Sequence, residues 1–140
     1  MSKKAIYVDT SVYLTVLLGE PGCDQFLEKM AGHRLCTSVV MFIEAERNII
    51  RLAREKILKD DEHLGVLQRV RQDVELFMVS DLTLDTAYFG QFPMVTLPKT
   101  MDLIHLRAAK FFDDEIGIEG FLSNDKNQLR AAEELGLSII

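Results

Sequence analysis

The sequence predicts an α/β fold in which a parallel sheet is covered by helices on both faces. Two observations carry that reading. Short apolar runs, beginning with AIYV at 5–8 and recurring at 34–37 and 120–123, alternate with longer stretches of helical periodicity. Strands that show no polar face need cover on both sides, which a helix after each parallel strand supplies. In addition, 48% of the 140 residues are hydrophobic, enough to bury one core. A single domain spanning 1–140 is the expectation, with no repeat, linker or low-complexity segment.

The elements follow in order. Ala5–Val8 is short, β-branched and aromatic, and reads as the first strand. Ser11–Leu18 continues as a short helix until Gly19-Glu20-Pro21-Gly22 breaks it. Cys23–Met30 places Phe26, Leu27 and Met30 on one helical face, with Gly32 where a helix end favours glycine. Arg34–Thr37 is a second strand. Thr37 or Ser38 is then expected to cap a long helix running to about Lys56, with Met41, Phe42, Ala45, Ile49, Ile50 and Ala53 apolar. The acids Asp60, Asp61 and Glu62 open the next helix, where negative charge suits the dipole. Its apolar spacing through Leu64, Leu67, Val70, Val74 and Phe77 allows one long helix, or a helix ending near Glu75 and a small strand at Leu76–Val79. Leu82–Phe89 reads as a short helix and Gln91–Lys99, with Pro93 and Pro98, as loop. Thr100 is expected to cap a deeply packed helix over Met101–Phe112. A strand at Gly120–Ser123, a helix at Lys126–Leu135 ended by Gly136, and a terminal strand at Ser138–Ile140 complete the chain.

Composition narrows the function. Acids outnumber bases by 22 to 16, giving a formal charge of −6. That balance argues against loose electrostatic attachment to nucleic acid or anionic membrane, so no stable DNA binding by this chain alone and no membrane partner are expected. A polyanionic substrate held through a cation is compatible with it. Cys23 and Cys36 fit no C-x-x-C or zinc spacing, no signal peptide precedes the first strand, and the apolar runs are too short to span a bilayer. A cytoplasmic setting is the expectation.

Several acids stand where chemistry is usually placed. In open α/β sheets, ligands bind beyond the carboxyl ends of the strands, near the point where strand order reverses. Asp9 lies just past the first strand and Asp125 just past the strand at Gly120–Ser123; Asp102 sits in the first turn of its helix. Glu44, in SVVMFIEAERNII, is an acid in the second turn of a helix with an apolar flank. Each has an ordinary explanation: Asp9 and Asp125 as N-caps, Asp102 answering a dipole, Glu44 pairing with Arg47 or Asn48 on an exposed face. As a group they suggest more. Four carboxylates brought close would repel or stay protonated unless a cation neutralised them. Oxygen donors with no His or Cys cluster favour Mg²⁺ or Mn²⁺ over zinc. Such ions lower the pKa of bound water and polarise phosphoryl oxygens, which points to phosphodiester hydrolysis.

With these segments in view, the sequence resembles the PIN-domain ribonucleases, specifically the VapC-type toxins of prokaryotic toxin–antitoxin pairs. The resemblance covers essentially the whole chain and rests on VDTSVYL, TSVVMFIEAER, MDLIHLRAA and FLSNDKNQLRAAEELGL in that order. It implies a three-layer α/β/α sandwich around a mainly parallel sheet of four to five strands. It also implies Mg²⁺- or Mn²⁺-dependent endoribonuclease activity, a homodimer and a partner antitoxin. Position by position, Asp9, Glu44, Asp102 and Asp125 match the acidic quartet. Asp9 and Asp102 are the strongest metal ligands, and Asp125 ligates directly or through water. Glu44 orients a ligand water or helps to deprotonate the attacking one. Thr10, Ser11 and Ser123 match the hydroxyl positions that accompany the quartet. The long polar segment Lys56–Arg71 departs from the family pattern and bears on substrate identity more than on chemistry.

Arg47, Arg51 and Arg54 follow Glu44 at helical offsets and could grip RNA phosphates, with Lys99 and Arg107 as further candidates; a solvated face of Glu–Arg pairs explains the pattern equally well. His105, three residues after Asp102, is expected to be a hydrogen-bonded, semi-buried histidine and not a ligand. Tyr7, Tyr13 and Tyr88 are expected to pack and not to stack on bases. Val12, Leu14, Val16 and Leu17 are expected to offer surface to an antitoxin or a second copy. Two other acidic phosphate sites fit poorly. A haloacid-dehalogenase-type phosphatase needs a second acid where Ser11 stands, and a receiver domain needs paired acids near strand one. The non-enzymatic alternative is a catalytically inactive PIN-like module that binds RNA or protein.

Overall fold

The computed structural model describes residues 3–88, 92–96 and 98–140. Its strands are β1 (Ala5–Val8), β2 (Arg34–Ser38), β3 (Phe77–Ser80) and β4 (Ile118–Leu122). All pair in parallel, in the order β3-β2-β1-β4. The chain therefore steps outward from β1 to β3 and returns to the other side of β1. The order reverses at β1, and the crevice between the ends of β1 and β4 is the switch point where α/β sheets place ligands.

The helices are α1 (Thr10–Leu17), α2 (Cys23–Met30), α3 (Val40–Arg54), α4 (Asp60–Asp73), α5 (Leu84–Ala87), α6 (Thr100–Ile116) and α7 (Lys126–Glu134), with a 3₁₀ turn at Val74–Leu76. Alternation along the strands sorts side chains into two cores. Tyr7, Cys36 and Phe121 point to one face, where α6 and α7 contribute Leu106, Ala109, Phe112, Ala131 and Ala132. Ile6, Val8 and Leu122 point to the other, against Val12, Tyr13, Met41, Ala45, Ile49 and Val70 from α1, α3 and α4. The three-layer sandwich is thus present, with four parallel strands.

Several boundaries differ from the sequence reading. The helix after the acids at 60–62 ends at Asp73, and the short-strand alternative is realised as β3, in register Leu35↔Phe77 through Ser38↔Ser80 with β2. Lys99 takes the cap position of α6 and Thr100 is its first helical residue. Neither Thr37 nor Ser38 occupies the cap position of α3, which falls on Val39. Thr37, fully buried in the sheet, donates its hydroxyl to the Val8 carbonyl at 2.8 Å, and Ser38 Oγ accepts from the Val40 amide at 3.3 Å. The short helix expected over Leu82–Phe89 is limited to α5, with Phe89 and Gln91 outside the described residues. The terminal strand is reduced to one parallel bridge, Phe121 to Ile139, with the Phe121 amide donating to the Ser138 carbonyl at 2.8 Å. Gly32 and Gly136 do stop their helices, in left-handed conformations at φ 77° and 83°. Among the described residues no helix is long and apolar enough to cross a membrane.

Candidate active site

Asp9 is the first residue beyond β1 and the N-cap of α1. Its Oδ1 accepts from the Val12 amide at 3.3 Å and from Ser11 Oγ at 2.6 Å. The capping explanation therefore holds, yet it does not exhaust the residue, because Asp9 is only 5% exposed. Burial pushes its carboxyl above the usual range, and hydrogen bonds from Ser11 and Ser123 offset only part of that.

Ser11 also stitches the end of β1 to the loop after β4. Its Oγ accepts from the Asn124 amide at 2.8 Å and lies 3.4 Å from Ser123 Oγ. Ser123 Oγ in turn accepts from the Asp125 amide at 3.0 Å. Asp125 is exposed and caps α7 through the Asn127 amide at 2.8 Å. Two acids more than a hundred residues apart thus stand at neighbouring strand ends with the two serines between them.

A second group faces the same end of the sheet. Thr10 Oγ donates to Glu44 Oε1 at 2.6 Å, and His105 Nε2 lies 2.8 Å from that oxygen and 2.9 Å from the Thr10 hydroxyl. The other ring nitrogen, Nδ1, meets Tyr7 Oη at 2.7 Å. Glu44 therefore turns toward the interior of the site and not toward Arg47 or Asn48 on the helix surface. Burial alone would raise its carboxyl, but the hydrogen bonds from His105 and Thr10 outweigh burial and hold it below the usual range. Glu44 stands ready as an anion.

Asp102 lies in the first turn of α6, where its Oδ2 accepts from the Lys99 amide at 3.3 Å. Its backbone carbonyl accepts from the buried Gln128 side chain at 2.9 Å, which fastens the start of α6 to the start of α7. Sequence reasoning missed Gln128, although a signal existed. It occupies the apolar stripe of α7 with Ala131, Ala132 and Leu135, a place where an amide needs a reason to be. Tyr7 does pack as expected, stacked on Phe121 at 5.3 Å, but its hydroxyl also serves His105.

Among the described residues, no three Asp, Glu, His or Cys side chains converge as a set that could hold an ion. Shared partners bring Asp9, Ser11, Ser123 and the Asp125 backbone together, and Glu44, Thr10 and His105 together. The three aspartate carboxylates predicted as joint ligands do not form a closed cage. Mg²⁺ or Mn²⁺ nonetheless fits the donors in kind. They are oxygens only, Mg²⁺ commonly takes one or two carboxylates and completes its shell with water and phosphate, and the buried Asp9 carboxylate carries a charge that a cation would relieve.

Arg47 and Arg51 lie outside this centre. With Arg54, Ile50 and Glu55 they line a shallow hollow on α3, where Arg51 pairs with Glu55 at 3.1 Å. Arg107 lies over the Phe92 ring at 4.7 Å. Of the α1 residues expected to offer surface, Val12 is fully buried, Leu14 and Leu17 are partly buried against the core, and Val16 is half-buried. A helix laid on the sheet next to β1 has to spend its apolar stripe inward.

An all-parallel α/β domain with acids and hydroxyls at its switch point is the class these features define. The chain belongs to the PIN domain family, whose profile matches residues 6–134, and so has a nuclease-type fold. A comparison with curated proteins found no match.

Proposed function

We propose that this chain is a metal-dependent endoribonuclease that hydrolyses RNA phosphodiester bonds, the toxin of a VapBC-type pair acting in the cytoplasm. The observation that carries the reading is Asp9: a buried, charge-resisting carboxylate at the switch point, joined through Ser11 and Ser123 to the end of the adjacent strand. Asp9 and Asp102 would hold Mg²⁺ or Mn²⁺, with Asp125 direct or through water. When bound, the ion supplies a water of lowered pKa and polarises the scissile phosphoryl group. Glu44, kept anionic by its neighbours, accepts a hydrogen bond from the attacking water and orients it. Its lowered carboxyl makes orientation a better role than strong general-base work. Thr10 holds Glu44, and the two serines hold Asp9.

Arg47 and Arg51 would take phosphates flanking the cut, so that affinity comes from a local basic surface despite the overall negative charge. Association with a second copy and with an antitoxin draws support from large apolar side chains left exposed, among them Leu82, Leu84 and Tyr88 near α5 and Ile43 and Ile50 on α3. The test is incubation of the purified protein with a mixed RNA pool in Mn²⁺ or in EDTA. Cleavage that requires Mn²⁺ and disappears in Asp9→Asn is expected. RNA binding without cleavage in Mn²⁺ would replace this reading with the inactive binding module.

A further inference from the structure

We propose that His105 is a positioning residue of this site, holding Glu44 through an Nε2–H that the Glu44 and Thr10 oxygens select, with the Tyr7 hydroxyl donating to the opposite ring nitrogen. The inference rests on the nuclease reading for its effect on turnover, but the arrangement itself is legible without it. His105 is 2% exposed on a face of α6 that otherwise contributes Leu106, Ala109 and Phe112 to the core. A leucine would suit that packing, and a buried imidazole is tolerated there only because both nitrogens have partners.

For the neutral ring, those partners select one arrangement of protons. Thr10 spends its single hydroxyl hydrogen on Glu44 Oε1 at 2.6 Å, so Thr10 can offer Nε2 only lone pairs. The Glu44 carboxylate, 2.8 Å from Nε2, is likewise an acceptor. Nε2 therefore carries the proton. Nδ1, with Tyr7 Oη at 2.7 Å, is left to accept, and burial keeps the phenol in the protonated form that donates. Tyr7 is itself immobilised, stacked on Phe121 with an interplanar angle of 2° and set edge-on to the His105 ring at 5.8 Å. A rigid line thus runs from the centre of the sheet through the imidazole to one carboxylate oxygen. His105 is too enclosed to touch a substrate, so its influence passes through Glu44.

Two measurements test this. In metal-free protein labelled with ¹⁵N-histidine, the His105 ring is expected to show a protonated Nε2 and a bare Nδ1 at neutral pH, and Tyr7→Phe is expected to keep that tautomer because Glu44 and Thr10 still accept from Nε2. A bare Nε2, or a proton on Nδ1, would overturn the assignment. Turnover supplies the second, read as kcat and KM on a fluorogenic single-stranded RNA of mixed sequence with Mn²⁺. Glutamine places its amide near the position of Nε2 and asparagine near that of Nδ1. His105→Gln should retain most of kcat, whereas His105→Asn should lose about 100-fold in kcat, the effect of a misplaced reacting group, with KM little changed. Equal kcat values for the two variants, both folded by circular dichroism, would reject the positioning role. If the wild-type protein cleaves no RNA, the nuclease reading fails and the tautomer measurement decides the inference alone.

Discussion

Asp9 bears a charge that its surroundings resist, and the sign of that resistance gives a testable consequence. Because burial raises the folded-state carboxyl, the folded protein holds the proton more tightly than the unfolded chain. The associated stability is fully present below the ordinary aspartate pKa and is lost as pH rises through the elevated one. Metal-free Asp9→Asn should therefore melt at a higher temperature than wild type at pH 7, the gap closing as pH falls toward about 4. Mn²⁺ should raise the wild-type melting temperature and leave that of the variant nearly unmoved. Scanning calorimetry with and without EDTA checks both, while cleavage by the variant should fall by more than about 100-fold. Asp9 could be singled out from the chain because it follows the first strand, and Glu44 because an acid interrupts an apolar helix flank, whereas Thr10 and Ser11 are marked only by the family resemblance. Tyr7 and Gln128 could not be given their roles: the partner of each lies 98 or 26 residues away, and no local spacing announces it.

At the scale of elements, α4 shows how a polar helix is held to the domain. Only Val70 and Asp73 of α4 are buried. Asp73 accepts from the Tyr13 hydroxyl at 2.8 Å and from Arg69 at 3.0 Å, tying the end of α4 to α1. Tyr13→Phe should cost about 2 kcal/mol, the size of a hydrogen bond to a charged group, measured by urea denaturation, with cleavage at wild-type levels. The close approach of the C-terminal residue to β4 offers a second check. A Cβ on Gly120 would lie 2.7 Å from Ile140 Cγ1. Gly120→Ala should destabilise by about 1–3 kcal/mol, and combination with Ile140→Ala should recover much of that loss. The sequence could not choose between one helix and a helix plus β3, because Val74 and Phe77 satisfy both periods. Pairing with β2 decides it. The terminal segment promises more strand than it forms for a related reason: β-branched residues look like a strand whether or not a full ladder forms beside them.

For the whole molecule, a net charge of −6 and the RNA substrate proposed above are reconciled only if the cations are concentrated. Replacing Arg47 and Arg51 with alanine should flatten the dependence of log affinity on log salt by roughly 0.7 for each phosphate that is no longer neutralised. An unchanged slope would confine Arg51 to its pair with Glu55. The α/β class was legible from alternation of short apolar runs with helices, whereas the strand order was not, since composition says nothing about which side of β1 the last strand joins. That order has a temporal side. β1 pairs with β2 after a short excursion, but its other edge waits for β4, more than a hundred residues later in synthesis. Closing so long a loop is entropically the slower event. Ser11 meets Ser123 and Asn124 only then, so a ribosome-bound nascent chain that has emerged as far as α6 carries Asp9, Glu44 and Asp102 yet has no assembled centre until β4 and the loop after it have docked.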